Sequence, residues 1–327
     1  MSRTCNEQKK VTVRELLEND DTDLEGVSDG SSNDITSLRE SLFEMDSEEE
    51  TELKSTKKIT EESNKMQVFL FRNSEPMNNI SDQWMARSFI DGKYVRYDLN
   101  QPSELPHRTS AIAFKNDPPL TVIGLRMCDI IGEAFISKGI EFDLAYSSPS
   151  LRCIQTAHRL ISVGSNRAPL RIEPMLYSFC EIHRLGVPQF MSENELATNE
   201  IIIDKNYKPF INIDELMTLR SENCLHFQER SHQAIQHIAK SAPSNAKILI
   251  VTHACNIHAI ARALKSESGD IVTTLEMHKA RQFYPYCSLV CMKPYSRHSW
   301  TQVANVIPAM NCTDFTTRFN HHFLSPR

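Results

Sequence analysis

Two short apolar runs, each ending abruptly in polar residues, set the frame of this chain. Gln67-Val68-Phe69-Leu70 runs into Phe71-Arg72-Asn73-Ser74-Glu75, and Lys247-Ile248-Leu249-Ile250-Val251-Thr252 runs into His253-Ala254-Cys255. Runs this short and this apolar read as strands buried on both faces. Between them the pattern changes period. A helix is predicted over 125–137, with Met127, Ile130, Ile131 and Phe135 on one side. Residues 143–147 form the next strand, which stops at Ser148-Pro149. A helix carrying Arg152, Thr156 and Arg159 starts there, with Ser148 as its N-cap and Pro149 at its first position.

Arg171-Ile172-Glu173-Pro174 ends a third strand. Residues 178–245 are less regular: a polar loop over 192–208 leads to a helix over 221–240. A helix over 257–264 and strands over 288–292 and 302–306 close the series. The stretch after the first strand, with Trp84, Asp91-Gly92-Lys93 and the prolines of 102–119, reads as turns and irregular chain. Strands alternating with helices predict a three-layer α/β/α domain around a mostly parallel sheet. No internal repeat is visible, and 66–327 reads as one domain.

Charge separates the first 65 residues from the rest. They hold 18 acidic and 9 basic residues, a net of −9; the whole chain carries −6, so 66–327 carries +3. Asp46-Ser47-Glu48-Glu49-Glu50 has almost nothing to bury, and such a segment cannot offset the entropy of ordering. Residues 1–65 are therefore expected to be disordered, with short amphipathic turns near 11–17 or 38–45 forming at most on a partner. Ser47, set before three glutamates, is a candidate phosphorylation site within that tail.

The nine cysteines are scattered singly, with no CxxC pair and no Cys/His metal spacing. The opening residues do not read as a leader segment, and no apolar run reaches membrane-spanning length. The chain is expected in the cytoplasm or nucleus with reduced thiols, without a metal or other cofactor, and with neither nucleic acid nor membrane as partner.

Ligands of open α/β sheets collect at the carboxyl ends of the strands. Three polar clusters fall there: Arg72-Asn73, Ser148 to Arg152, and His253. Arg72 and Arg152 supply planar forks suited to phosphate oxygens, and His253 adds a donor. The helix near Pro149 adds the positive end of its dipole. Singly, such an arginine is commonly a surface ion pair and such a histidine commonly structural. Together they form a candidate site for a dianion.

The segment Tyr146-Ser147-Ser148-Pro149-Ser150-Leu151-Arg152-Cys153-Ile154-Gln155-Thr156-Ala157 resembles the strand-to-helix signature of the histidine phosphatase (phosphoglycerate-mutase-like) superfamily. Pro119-Leu120-Thr121, Gly132-Glu133-Ala134, Arg171-Ile172-Glu173-Pro174, Tyr207-Lys208-Pro209 and 248–254 recur in order in one branch. That branch is the phosphatase domain of the suppressor-of-T-cell-receptor-signalling (ubiquitin-associated and SH3-domain-containing) proteins. The resemblance covers 66–327, weakening after 265. It implies that Arg72, Asn73, Arg152 and His253 surround a phosphate.

It also implies that the catalytic set is incomplete. In active members the first cluster reads Arg-His-Gly-Glu-Arg, and its His attacks phosphorus. Here the His position holds Asn73, the Gly position Ser74 and the final Arg position Pro76. An acidic proton donor is expected four residues beyond Pro174, where this chain has Ser178; Glu181 is nearby but out of register. The resemblance thus implies a pseudophosphatase that binds a phosphorylated small molecule or phosphoprotein, and no mutase activity. Two alternatives remain: a weak phosphatase working through His253, and an interaction protein acting through residues 1–65 with a vestigial pocket.

Overall fold

Val68, Phe69, Leu70 and Phe71 are all inaccessible to solvent, so the first apolar run is buried on both faces as its composition demands. The computed structural model describes residues 65–164, 168–179, 188–265, 273–296 and 299–311, the side chain of Arg220 aside. The acidic segment before Lys65, its two amphipathic turns and Ser47 lie outside the described residues, as does Glu181.

Strand β1 (Gln67–Arg72) lies parallel to β6 (Lys247–Thr252), with Gln67 opposite Lys247 and Arg72 opposite Thr252. Strand β4 (Leu144–Ser147) runs parallel on the far side of β6, and β5 (Leu170–Ile172) parallel beyond it. On the other edge, β7 (Leu289–Pro294) is antiparallel to β1 and β8 (Trp300–Val303) antiparallel to β7. Among the described residues the sheet order is β5-β4-β6-β1-β7-β8, and β2 (Phe89–Ile90) with β3 (Lys93–Tyr94) makes a separate hairpin.

Because successive side chains of a strand point to opposite faces, the central strands feed two cores. Phe69, Phe71, Leu249 and Val251 join Phe135 of α2 (Val122–Ser137) and Ile154 of α3 (Leu151–Ser162). Val68, Leu70, Ile248 and Ile250 join Ile238 of α6 (Cys224–Ser241) and Ile260 of α7 (Ala254–Leu264). Helices on both faces of a mostly parallel sheet are the architecture expected from the sequence.

Several boundaries differ. Helix α2 starts at Val122 because the Thr121 side chain accepts the Gly124 N–H at 2.9 Å. Its buried face is Gly124, Cys128, Ile131 and Phe135, a spacing of three and four; Ile130, one residue off that stripe, is 42% exposed. Helix α3 opens at Leu151 with Ser150 rather than Ser148 as N-cap, and Ser148 points elsewhere. The Leu151 N–H is taken instead by Asp117 Oδ1 at 2.8 Å. Helix α7 begins directly after His253, three residues earlier than expected.

Within the stretch read as a polar loop, Glu193–Thr198 is a helix, α4, closed by a capping box between Ser192 and Glu195. The same device, Asn212 with Glu215 and Thr273 with Glu276, starts α5 (Ile213–Thr218) and α8 (Thr274–Phe283). Trp84–Ser88 is the short helix α1. No helix of the described residues is long and apolar enough to cross a membrane.

Candidate functional site

The register of three parallel strands assembles the site. Since Arg72 is paired with Thr252 and Ser147 with Val251, the residues that follow leave the sheet side by side. Asn73 N–H donates to Thr252 O at 3.0 Å and Ser148 N–H to Val251 O at 3.0 Å. Here opens a cavity of about 380 Å³, and Arg72, Asn73, Arg152 and His253 all line it. Ser178 and Pro76 line it too. All four residues singled out in the sequence are therefore brought together.

Arg72 is 9% exposed and strongly held. Its Nη1 donates to the backbone oxygens of Arg281 (3.2 Å) and Tyr284, and its guanidinium stacks 4.1 Å from the Tyr286 ring centre. Burial lowers its pKa from the ordinary arginine value, with Arg152 adding to that and Tyr286 opposing it. Asn73, 3% exposed, donates from Nδ2 to Ser74 O at 2.9 Å.

Arg152 and His253 form a chain of hydrogen bonds. Arg152 Nη2 lies 3.2 Å from His253 Nδ1, and a guanidinium can only donate, so Nδ1 is the acceptor. The ring proton then sits on Nε2, which donates to Ser148 Oγ at 2.9 Å. The Tyr177 ring meets the imidazole edge-on at 5.7 Å between ring centres. Cys153 Sγ lies 3.7 Å from Nε2, but burial pushes its thiol up to about 12 despite the opposing charge of Arg152, so it stays protonated at neutral pH.

Among the described residues the neighbouring loops carry no acid into the cavity. Ser178 Oγ is 3.4 Å from Cys255 Sγ. Glu173, 1% exposed, accepts from Met175 N–H (2.9 Å), Tyr207 Oη–H (2.6 Å) and Phe210 N–H (2.9 Å), and so organises the chain behind the site. Glu75 also turns away, accepting from Thr121 Oγ1 (2.8 Å) and Asn100 Nδ2 (2.8 Å) at the start of α2. The Ser74 hydroxyl donates to Gly124 O at 2.7 Å.

Sequence reasoning missed Lys115, His278, Arg281 and Tyr286, all of which line the cavity. Lys115 comes from the stretch read as irregular, His278 and Arg281 from the unexpected helix α8. Only the Thr273–Glu276 capping signature announced that helix. Asp117 was also missed: it is wholly buried, its carboxyl is pushed up to about 6 by that burial, and it joins Arg108 (3.4 Å) to the first turn of α3. Among the described residues no cluster of His, Cys, Asp and Glu has a metal-binding arrangement.

A mostly parallel α/β sheet with a site at this edge is a phosphoglycerate-mutase-like fold, and the comparisons agree. The model of the histidine phosphatase superfamily (branch 1) matches residues 105–303, and the chain belongs to that family. It is 30% identical over 230 residues to the ecdysteroid-phosphate phosphatase of Drosophila melanogaster, covering 69% of this chain and 30% of that protein. It is 32% identical over 208 residues to human ubiquitin-associated and SH3 domain-containing protein B, covering 62% of this chain and 32% of that one. The chain thus spans about a third of the length of these curated relatives. The crystal structure of the ecdysone phosphate phosphatase of Bombyx mori with tungstate superposes with a TM-score of 0.66 at 26% identity, over 80% of this chain and all of that one.

Proposed function

We propose that this chain is a pseudophosphatase, which binds a phosphorylated small molecule or phosphoprotein in the Arg72–Arg152–His253 pocket and does not turn it over efficiently. The observation that carries this reading is Asn73 in a cavity that, among the described residues, is lined by no Asp or Glu. By resemblance Asn73 stands where the phosphoryl acceptor belongs. A carboxamide nitrogen has its lone pair delocalised into the carbonyl and cannot form the labile phosphoramidate that imidazole forms. Loss of the nucleophile at a covalent site costs about 10^6 in turnover, or about 8 kcal/mol of barrier. Ground-state anion binding depends instead on donors, and these are present.

Two other groups are poorly placed to replace the acceptor. His253 already receives the Arg152 proton on Nδ1, which is the lone pair that a base or nucleophile would use. Cys153 is held as a thiol. The tungstate in the Bombyx mori relative is an oxyanion of phosphate-like shape, and the ecdysteroid phosphate named in two relatives is a phosphate ester. Both support phosphate as the chemical class of the ligand here.

The test is turnover of an aryl phosphate by the purified chain beside its Arg152→Ala variant, with inorganic phosphate binding measured calorimetrically on both. Background turnover in both, with phosphate binding weakened only in the variant, is the expected result. Turnover that disappears with Arg152 would overturn the reading and favour a weak enzyme working through His253.

A further inference from the structure

The cavity is more basic than one phosphate needs. Among the described residues its lining contains Arg72, Lys115, Arg152 and Arg281, with His253 and His278, and no carboxylate. Among the described residues none of these four cations forms an ion pair with an acidic side chain. Four cations converging on one concave surface repel one another, and a compensating anion lowers that cost.

The cations fall into two ranks. Arg72 is buried at the strand end, and Arg152 sits at the second position of α3 in contact with His253. Lys115 and Arg281 are exposed at the mouth. Each outer cation is tied by a short path to an inner one. Arg72 Nη1 donates to the backbone oxygen of Arg281, which fixes the last turn of α8 over the strand end. Asp117, two residues after Lys115, accepts the N–H of Leu151, the residue before Arg152. Both outer charges thereby belong to the lining of the same cavity as the inner pair.

From this arrangement we infer a second anion subsite at the mouth, formed by Lys115 and Arg281, so that the ligand carries two anionic groups. One is the phosphate at Arg72 and Arg152; the other is a second phosphate or a carboxylate reaching the rim. The inference rests on the phosphate-binding reading above and narrows it to bis-anionic small molecules. The large, exposed charges leave room for hydrated contacts, so the subsite adds affinity for the second group without replacing the inner one.

The experiment is calorimetric titration of the full chain with a series of linear alkanediol bisphosphates of increasing length, each beside the alkyl monophosphate of matched length. The best bisphosphate is expected to bind about tenfold or more tightly than its monophosphate, the gain of one charge-assisted contact. In a Lys115→Gln/Arg281→Gln double variant that advantage should vanish, with monophosphate affinity falling by much less than bisphosphate affinity. Lys138→Gln, an exposed charge remote from the cavity lining, should keep the advantage.

Equal affinity for both ligands across the series, or an advantage that survives the double variant, overturns the second subsite and leaves the phosphate pocket standing. Absence of monophosphate binding in the folded wild type overturns the pocket reading itself, and this inference with it.

Discussion

Arg152 donates to Nδ1 of His253 at 3.2 Å, and that single bond sets the protonation geometry of the site. It leaves the imidazole neutral in this arrangement, with its one proton directed at Ser148. The arginine therefore positions the ring and, in the proposed reading, also holds the anion. Arg152→Ala is expected to weaken phosphate binding about 10- to 100-fold, or about 1.5–3 kcal/mol. Arg152→Lys should recover little of this, because a point charge does not reproduce the fork. Calorimetric titration with phosphate reads both.

On the pseudophosphatase reading, placing a histidine at position 73 alone should fail to give turnover. Asn73→His places an acceptor in the cavity but leaves Pro76 and Ser178, so neither the second arginine nor the proton donor returns. Turnover of an aryl phosphate by Asn73→His is expected at background. The triple variant Asn73→His/Pro76→Arg/Ser178→Glu is expected to rise clearly above it. Activity in the single variant equal to that of the triple would show that acid and second arginine are dispensable.

Two carboxylates around Arg108 should titrate in opposite senses. Burial raises the Asp117 carboxyl to about 6, so the folded state holds its proton where the unfolded chain has lost it. Stability from this group rises as pH falls from about 6 towards 4, and its ionised form costs about 3 kcal/mol at neutral pH. Burial also opposes ionisation of Glu195, but the N–H groups of Thr109 and Ser192 and the charge of Arg108 outweigh it and hold the carboxyl at about 2. Its contribution is present above pH 4.5 and is lost as pH falls towards 2. Thermal unfolding between pH 7 and 4 should show the wild type gaining on Asp117→Asn as pH falls. Against Glu195→Gln the wild type should lose ground only below about pH 4.5.

Arg230 braces the loop beneath the site. Its fork meets Glu222 at 2.6 and 2.9 Å, and it donates to the backbone oxygens of Met175, Tyr177 and Ser178. Arg230→Ala leaves buried acceptors and an unpaired carboxylate, a loss of about 3–5 kcal/mol. Denaturant unfolding should record that loss. Arg230→Ala/Glu222→Gln should be less destabilised than the sum of the singles, because the stranded charge is gone.

Gly124 allows the loop after β1 to touch the first turn of α2. A Cβ there would fall 2.4 Å from Glu75 O, a backbone atom that cannot swing aside. Gly124→Ala should cost about 1–3 kcal/mol and also weaken phosphate binding, since the displaced segment carries Arg72 and Asn73. A melting temperature within a degree of wild type would mean the loop yields freely.

What the sequence alone determined was local or periodic. The uninterrupted apolar runs at 68–71 and 248–251 had to be central strands, because only burial on both faces suits them. Their polar ends then had to meet at one sheet edge, which is why Arg72, Asn73, Arg152 and His253 were legible before any coordinates. The capping signatures at Ser192, Asn212 and Thr273 are equally local, yet helices α4, α5 and α8, which they start, were missed by sequence reasoning.

Tertiary structure decided what depends on contacts distant in sequence. Ser148 has every local property of an N-cap, yet Asp117 occupies the first turn of α3 and leaves Ser148 to His253. Lys115 and Arg281 look like ordinary surface charges, since nothing within a few residues of either reports a pocket. Only the parallel register of three strands and the packing of α8 over Arg72 bring them to one cavity, because chain reversals place side by side charges that the sequence holds far apart.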